Sequence, residues 1–177
     1  MIARDSNKFL PRMQSQLHGI AAVGDLVWRG WGGIIADIWR VRCEPGAHGT
    51  YVSPDPRLFV VLDITSGGEF ELTAGDGATA VHQHPWTMTY VPAHAPLRGR
   101  AIGVQYLGHL DIHIPEAALT RRFGRSLDHA RLGTMRLLFE DERVAAIARL
   151  LVAECRNPDR LDDHYGAGLI DALLTAL

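Results

Sequence analysis

Residues 58–73, LFVVLDITSGGEFELT, place two short apolar runs on either side of a glycine pair. The first run, residues 58–64, is rich in the β-branched and aromatic side chains that favour strands. Ser66-Gly67-Gly68 predicts a tight hairpin turn, because glycine accepts positive φ at no steric cost. Residues 69–73 then form the returning strand, and the whole stretch predicts antiparallel β-structure.

Similar strand and turn patterns continue on both sides of this hairpin, as far as Pro115. Glu44-Pro45-Gly46 is expected to end one strand, and Gly75-Asp76-Gly77 predicts a second hairpin. Further strands are predicted at residues 33–43, 79–91 and 101–114. Because the strands are short and no helix separates them, residues 33–114 are predicted to form an antiparallel β-barrel or jelly roll.

The hydrophobic period changes after the barrel, and residues 115–177 are predicted to be helical. Pro115 suits the first turn of a short helix and Gly124 suits its end. A longer helix is predicted from Asp141 to Asn157-Pro158, and a third helix is capped by Asp162 or Asp163. The last two helices are joined by a short polar link, which predicts an antiparallel pair.

Each of these two helices carries one apolar stripe. The stripes are expected both to dock on the barrel and to supply a homodimer interface. The predicted interface residues are Val144, Ile147, Leu151, Leu169 and Leu173. At the other end of the chain, residues 1–32 form either a flexible arm or an edge segment whose Trp28 and Trp31 cover the barrel mouth. The sequence leaves both alternatives open.

Residues 81–91, VHQHPWTMTYV, carry the most distinctive side-chain pattern. In a single strand, a period of two places their histidines, Trp86, Met88 and Tyr90 on one face. Such a face suits a pocket for a small, partly apolar ligand, although Met88 fits the core equally well. Other candidates flank neighbouring strands and loops. The full set of predicted ligand-binding residues is Trp39, Tyr51, Arg57, Phe59, His82, His84, Trp86, Tyr90 and His94.

Composition restricts the function classes. Among 177 residues, 18 are Lys or Arg and 20 are Asp or Glu, which gives a formal net charge of −2. DNA binding by this chain alone is disfavoured, because phosphate neutralisation needs a clustered basic surface. The two cysteines lie far apart in sequence, and no apolar run suits a signal peptide or a membrane span. A cytoplasmic protein with no membrane partner is therefore predicted.

Four stretches resemble the N-terminal half of AraC/XylS-type transcription regulators: EPGAHG at 44–49, DPRLFVVL at 55–62, YVPA at 90–93 and LFEDERV at 138–144. The resemblance implies a cupin-like barrel that binds a small-molecule effector, followed by helices that mediate homodimerisation. In that family a domain with two helix-turn-helix units follows and contacts DNA. This sequence stops at Leu177 before any such unit, so an isolated sensor domain is expected, without a cofactor and without enzymatic activity.

The alternative is a stand-alone cupin metalloenzyme, a dioxygenase or isomerase, that uses His82 and His84. Two imidazoles two residues apart on a strand can chelate one ion. Metal-binding cupins usually add a Glu a few residues downstream, where this chain has Met88 and Thr89, so no metal is predicted. If a metal were bound, its ligands would be His82, His84, His109 and His113. A structural barrel with a filled interior is a third option.

The last predicted strand is expected to bury only one face. Val104, Leu110 and Ile112 are strongly apolar, so their face should lie in the core, and His109, Asp111 and His113 should point to solvent. The sequence has no nucleophile elbow, phosphate-binding glycine loop, Cys-x-x-Cys pair or dinucleotide fingerprint. Chemistry without a cofactor therefore has little support.

Overall fold

The computed structural model describes residues 11–65, 67–75, 78–157 and 163–177. Predictions for residues 1–10, Ser66, Asp76-Gly77, Pro158 and Asp162 lie outside these ranges. The strands are β1 (Gln14–Ala22), β2 (Val27–Trp31), β3 (Ile34–Val52), β4 (Arg57–Ile64), β5 (Glu69–Ala74), β6 (Val81–Gln83), β7 (Met88–Val91), β8 (Leu97–Ile102), β9 (Tyr106–His113) and β10 (Arg136–Phe139). The helices are α1 (Glu116–Phe123), a 3-10 turn (Gly124–Ser126), α2 (His129–Leu132), α3 (Glu142–Arg156) and α4 (His164–Ala176).

The strands form one antiparallel sheet that curls into a nearly closed barrel, in the order β10-β7-β4-β9-β3-β8-β5-β6. The 19-residue β3 joins the two halves, since its first part pairs with β9 and its last part with β8. The predicted strand end at Glu44-Pro45-Gly46 is wrong. These residues form a bulge within β3, where Gly46 has φ 77° and the register with β1 shifts.

The first predicted hairpin is also wrong, because β4 and β5 do not pair. β4 lies between β7 and β9, whereas β5 lies between β8 and β6. The glycine pair lies in the connection from β4 to β5, which crosses between the two halves of the barrel. A Cβ atom on Gly68 would lie 2.8 Å from the backbone of Val104, so only glycine allows this close approach. The second predicted hairpin is confirmed by the antiparallel pairing of β5 with β6.

Residues 14–22 and 27–31 are part of the sheet. β1 and β2 both pair antiparallel with β3, which favours the edge-strand alternative over the flexible arm. Trp31 is 2% exposed and packs in the core beneath the helices, so it does not cover the barrel mouth. None of the described helices is long and apolar enough to span a membrane.

The three predicted helices are confirmed, but residues 115–177 are not all helical, because β10 lies among them and pairs with β7. α1 follows Pro115 and is ended by Gly124, which has φ 52°. Asp141 caps α3, because its Oδ1 accepts the backbone N–H groups of Arg143 and Val144 at 2.9 and 3.2 Å. Asp163 precedes α4, but its carboxylate accepts from Arg29 at 2.7 Å and does not cap the helix.

The apolar stripes of α3 and α4 pack on the outer face of the sheet, in one core with Leu58, Leu110 and Ile112. This packing corrects the predicted dimer interface, because a surface buried within one chain is not available to a second copy. It also covers the strands from outside, so β9 is buried on both faces. The predicted interface residues Val144, Leu151, Leu169 and Leu173 are buried, and Ile147 is half-buried.

Candidate functional site

A cavity of about 150 Å³ lies inside the barrel. Its wall is mostly apolar, and β1 borders its open side through alternate residues. The apolar and aromatic residues of the wall include Trp39, Val41, Tyr51, Phe59, Phe70, Leu72, Leu97 and Leu107. The residues of the β1 segment are Met13, Ser15, Leu17, Ile20 and Ala22.

One end of the cavity is polar, and it is built by the pairing of β4 with β9. Arg57 donates from Nη1 to Asp111 Oδ1 at 3.2 Å, and both side chains are buried. His109 Nε2 lies 3.3 Å from the other carboxylate oxygen of Asp111. The register sets Arg57 opposite His113 and Phe59 opposite Asp111, so alternation turns these side chains into the barrel together.

A second buried carboxylate adjoins the first, since Asp37 on β3 lies directly opposite Asp111 on β9. Trp39 donates from Nε1 to Asp37 Oδ1 at 2.7 Å. His113 Nε2 lies 3.0 Å from Asp37 Oδ2. Two carboxylates therefore share the interior with one guanidinium, that of Arg57.

The two carboxyls differ in protonation because only Asp111 has the guanidinium. Burial opposes ionisation of Asp111, but Arg57, His109 and His113 outweigh it and hold the pKa of this carboxyl well below its ordinary value. Burial raises the pKa of Asp37. The hydrogen bond with His113 lowers this pKa, but the charge of Asp111 raises it further, and the net shift is upward. The site thus keeps Asp111 as an anion, while burial shifts Asp37 towards its neutral form.

Two buried nitrogen atoms at this polar end have no hydrogen-bond partner within the described residues, namely Arg57 Nε and His109 Nδ1. Arg57 also lies over the Tyr51 ring at 5.6 Å, and its Nη1 is 3.0 Å from Met13 Sδ. Burial raises the pKa of Tyr51 to about 12, so this phenol stays neutral. Arg57 and His109 both line the cavity.

The comparisons with known proteins agree with this architecture. The sequence matches no protein-family model and no curated protein. The AraC-like transcriptional activator CuxR is a similar solved structure, with a TM-score of 0.56 and 15% identity, and the match covers 92% of this chain and 59% of that chain. The cupin domain of Schizosaccharomyces pombe Cnp3 is also similar, with a TM-score of 0.42, 16% identity, and coverage of 66% of this chain and 74% of that chain.

A protein of Ralstonia eutropha JMP134, named as a candidate mannose-6-phosphate isomerase, has a TM-score of 0.41, 17% identity, and coverage of 52% of this chain and 87% of that chain. The chain has a cupin-like fold. At these identities the likeness concerns the fold alone, and the predicted cupin-like barrel with its helix pair is confirmed.

The cupin-like barrel brings together one part of the predicted ligand-binding set. The predicted ligand-binding residues that line the cavity are Trp39, Tyr51, Arg57 and Phe59. Three further polar residues belong to the site, namely Asp37, His109 and Asp111, of which His109 and Asp111 were expected to point to solvent. The prediction for β9 is wrong because the helices cover Leu110 and Ile112 from outside, which frees the other face of the strand for the interior.

The histidines of residues 81–91 lie outside the cavity. The segment is not one strand, because a turn at residues 84–87 separates β6 from β7, and Trp86 there has φ 69°. His82 is exposed, with Nδ1 3.0 Å from Glu69, and His84 is exposed, with Nε2 3.3 Å from Glu140. His109 and His113 belong to the interior, so the predicted set of four metal ligands does not converge. Within the described ranges, no group of three His, Cys, Asp or Glu side chains could hold a metal ion.

The remaining predicted residues also lie elsewhere. Trp86 packs on the helical side, with the Arg149 guanidinium 4.2 Å from its ring centroid. Tyr90 is buried beneath the helices, and its hydroxyl donates to the Leu132 carbonyl at 3.0 Å. His94 is exposed in the loop before β8. The positions of Trp86 and Tyr90 follow from the turn at 84–87, because it ends the alternation that would have placed both on one wall with the histidines.

Proposed function

We propose that this chain is the small-molecule-sensing domain of an AraC-type transcription regulator, and that the effector binds in the barrel cavity. The observation that carries this proposal is the polar end of an otherwise apolar cavity. Arg57 Nε and His109 Nδ1 are buried there without a partner among the described residues. Leaving such groups unpaired costs about 1–3 kcal/mol each, so a ligand that pairs with them gains affinity and specificity.

The two nitrogen atoms also define the ligand chemistry. Arg57 Nε is a donor. If His109 donates from Nε2 to the Asp111 carboxylate, its Nδ1 is left as an acceptor. A hydroxyl group can accept from the first atom and donate to the second, while Phe59 and Leu107 surround an apolar body. The proposed effector is therefore a small, hydroxylated molecule with an aromatic or aliphatic body, bound without turnover.

Regulation would follow by linkage. A ligand that favours one arrangement of β1, the barrel and the helices shifts the population of that arrangement. In the proposed regulator, DNA is contacted only by a further domain outside this chain. The effector would then change the DNA affinity of that domain through the sensor.

Blocking the mouth of the cavity tests the effector site. Ala22 lines the cavity and lies opposite Val41, whereas its neighbour Ala21 lies opposite Arg42 on the outer face. Both alanines are exposed, so a tryptophan can be accommodated at either position. A library of small hydroxylated aromatic and aliphatic compounds is screened by thermal shift. A ligand at 100 times its Kd adds about 2.7 kcal/mol to the free energy of unfolding.

We expect compounds that stabilise the wild-type chain to lose this effect in Ala22→Trp and to keep it in Ala21→Trp. Analogues that lack the hydroxyl group should bind about tenfold more weakly, as is typical when a buried polar group loses its partner. Equal stabilisation of both tryptophan variants would place the ligand elsewhere and would contradict the proposed site.

The proposed homodimer needs a surface other than the predicted stripe. On the outer side of α3, Ala146, Leu150 and Ala153 are exposed at helical spacing, and Leu150 is 43% exposed. Tyr165 on α4 is a second large exposed side chain, at 52%. We propose that this outer face of α3 and α4 contacts the second copy.

The change Leu150→Glu is expected to convert the dimer into a folded monomer, because a charge would be buried in the interface but not in the fold of one chain. Sedimentation equilibrium measures the oligomeric state. Ile102→Glu is the matched control, since Ile102 is exposed on β8, away from the helices. If Leu150→Glu remained dimeric, the proposed interface would be excluded.

A further inference from the structure

A second cavity, of about 220 Å³, lies outside the barrel between α1, α2 and the end of α4. It is separate from the proposed effector site and shares no lining residue with it. Tyr90 forms part of its floor from the outer face of β7. Its apolar wall includes Ile114, Leu119, Phe123, Leu127, Leu132 and Leu174.

Two arginines, Arg131 and Arg136, border this apolar cavity. The Arg136 guanidinium lies between two aromatic rings, 5.3 Å from the centroid of Tyr90 and 4.7 Å from that of Phe139. Its Nε is buried and has no hydrogen-bond partner in the described part of the chain. Arg131 donates from Nε to the backbone oxygen of Leu177, the last residue of the sequence, at 2.7 Å, whereas Arg136 has no carboxylate partner within the described residues.

The carboxylates nearby are engaged in other contacts. Asp128 borders the cavity, but its Oδ1 accepts the backbone N–H of Arg131 at 3.0 Å and caps α2. Asp141 accepts from the Arg143 side chain at 3.1 Å and caps α3. Burial, and then the charge of Arg131, lower the pKa of Arg136, which fits a cation that lacks a counter-ion. The cavity therefore combines an apolar interior with excess positive charge.

We propose that this second cavity binds an amphipathic monocarboxylate. The carboxylate accepts from Arg136 within the field of Arg131, and an aliphatic or aromatic tail fills the space beside Leu119, Phe123 and Leu174. A charge-assisted hydrogen bond to the half-buried guanidinium supplies specificity for the anion. Burial of the tail among leucines supplies the larger part of the affinity.

Sodium octanoate is a suitable probe, and its binding is measured by calorimetry and by thermal shift. We expect octanoate to bind and to raise the melting temperature, and 1-octanol to bind about tenfold more weakly because it lacks the charge. Ala22→Trp, which closes the mouth of the barrel cavity, should leave octanoate binding unchanged. Failure of the proposed effector site would not affect these results, so the two proposals are tested separately.

Arg136→Met is the decisive variant, because it keeps the length of the apolar stem and removes the cation. It is expected to stay folded, because Arg136 is only half-buried, and to bind octanoate about tenfold more weakly. Arg136→Lys should restore part of the affinity. Arg100→Met is the matched control for net charge, because Arg100 is exposed on β8.

Three results would overturn the proposal. The first is no octanoate binding by the wild-type chain, and the second is undiminished binding by Arg136→Met. The third is loss of binding in Ala22→Trp but not in Arg136→Met, which would assign octanoate to the barrel cavity. A lower melting temperature for Arg136→Met together with unchanged octanoate binding would assign Arg136 a structural role only.

Discussion

The change Leu151→Glu is expected to abolish folding of the chain, whereas the same change at its neighbour Leu150 is expected to leave the chain folded. Leu151 is 0% exposed and packs between α3 and the outer face of the sheet, while Leu150 is 43% exposed. Losing the buried leucine costs about 2–5 kcal/mol, and a buried, unpaired carboxylate adds further cost. The sum approaches the whole stability of an ordinary domain, about 5–15 kcal/mol.

Far-UV circular dichroism and urea unfolding measure this difference directly. Leu151→Glu should give an unfolded or aggregated product at 25 °C, and Leu150→Glu should stay folded and lose only the stability that dimerisation contributes. Leu151→Met is a milder control, because a volume-conserving apolar change usually costs under about 1.5 kcal/mol. A folded, monomeric Leu151→Glu protein would show that the helices do not need this contact with the barrel.

The helices could be predicted from the sequence because their signals are local. Proline before α1, glycine after it and the Asp141 cap before α3 each act within one turn of helix. No local sequence signal shows which surface each apolar stripe covers. Periodicity shows that Leu151 and Leu173 lie on one face, but docking on the sheet and pairing with a second copy produce the same period. Only the tertiary contacts distinguish the two.

The error at the glycine pair has a similar cause. Two glycines between apolar runs suit a hairpin turn, and they suit equally a place where another backbone passes close by. A Cβ on Gly68 would clash with Val104, which lies 36 positions further along the chain, so no local sequence pattern shows this contact. The barrel could therefore be predicted as a class, while the partners of β4 and β5 could not.

The candidate site shows where strand periodicity helps and where it fails. Alternation along its strand indicates Trp39, whereas Arg57 and Phe59 are indicated by their place beside the turn before β4. The segment 81–91 was misassigned because Trp86, with φ 69°, turns the chain and interrupts the alternation. Asp37 and Asp111 carry a signal that could have been used, since a carboxylate inside a strongly apolar strand is costly unless it is paired.

The buried pair of Arg57 and Asp111 gives the second large effect. Arg57→Met is expected to lower the free energy of unfolding by about 3–5 kcal/mol at pH 7, because it leaves the Asp111 carboxylate buried without its guanidinium. The pH dependence should also reverse. In the wild type, the lowered pKa of Asp111 contributes stability above its ordinary value of 3.8, and this is lost as the pH falls further. In the variant, burial dominates and raises that pKa, so stability should fall as the pH rises from about 4 towards 7.

The double variant Arg57→Met/Asp111→Leu separates stability from binding. Replacing both members of a buried pair by apolar residues is often neutral, so most of the lost stability should return and the pH dependence attributed to Asp111 should disappear. Urea unfolding between pH 4 and pH 8 measures both effects, and a double variant no more stable than Arg57→Met would contradict the role given to this pair. The refolded cavity would still lack the Arg57 Nε donor, so hydroxylated ligands that bind the wild type should bind it at least about tenfold more weakly.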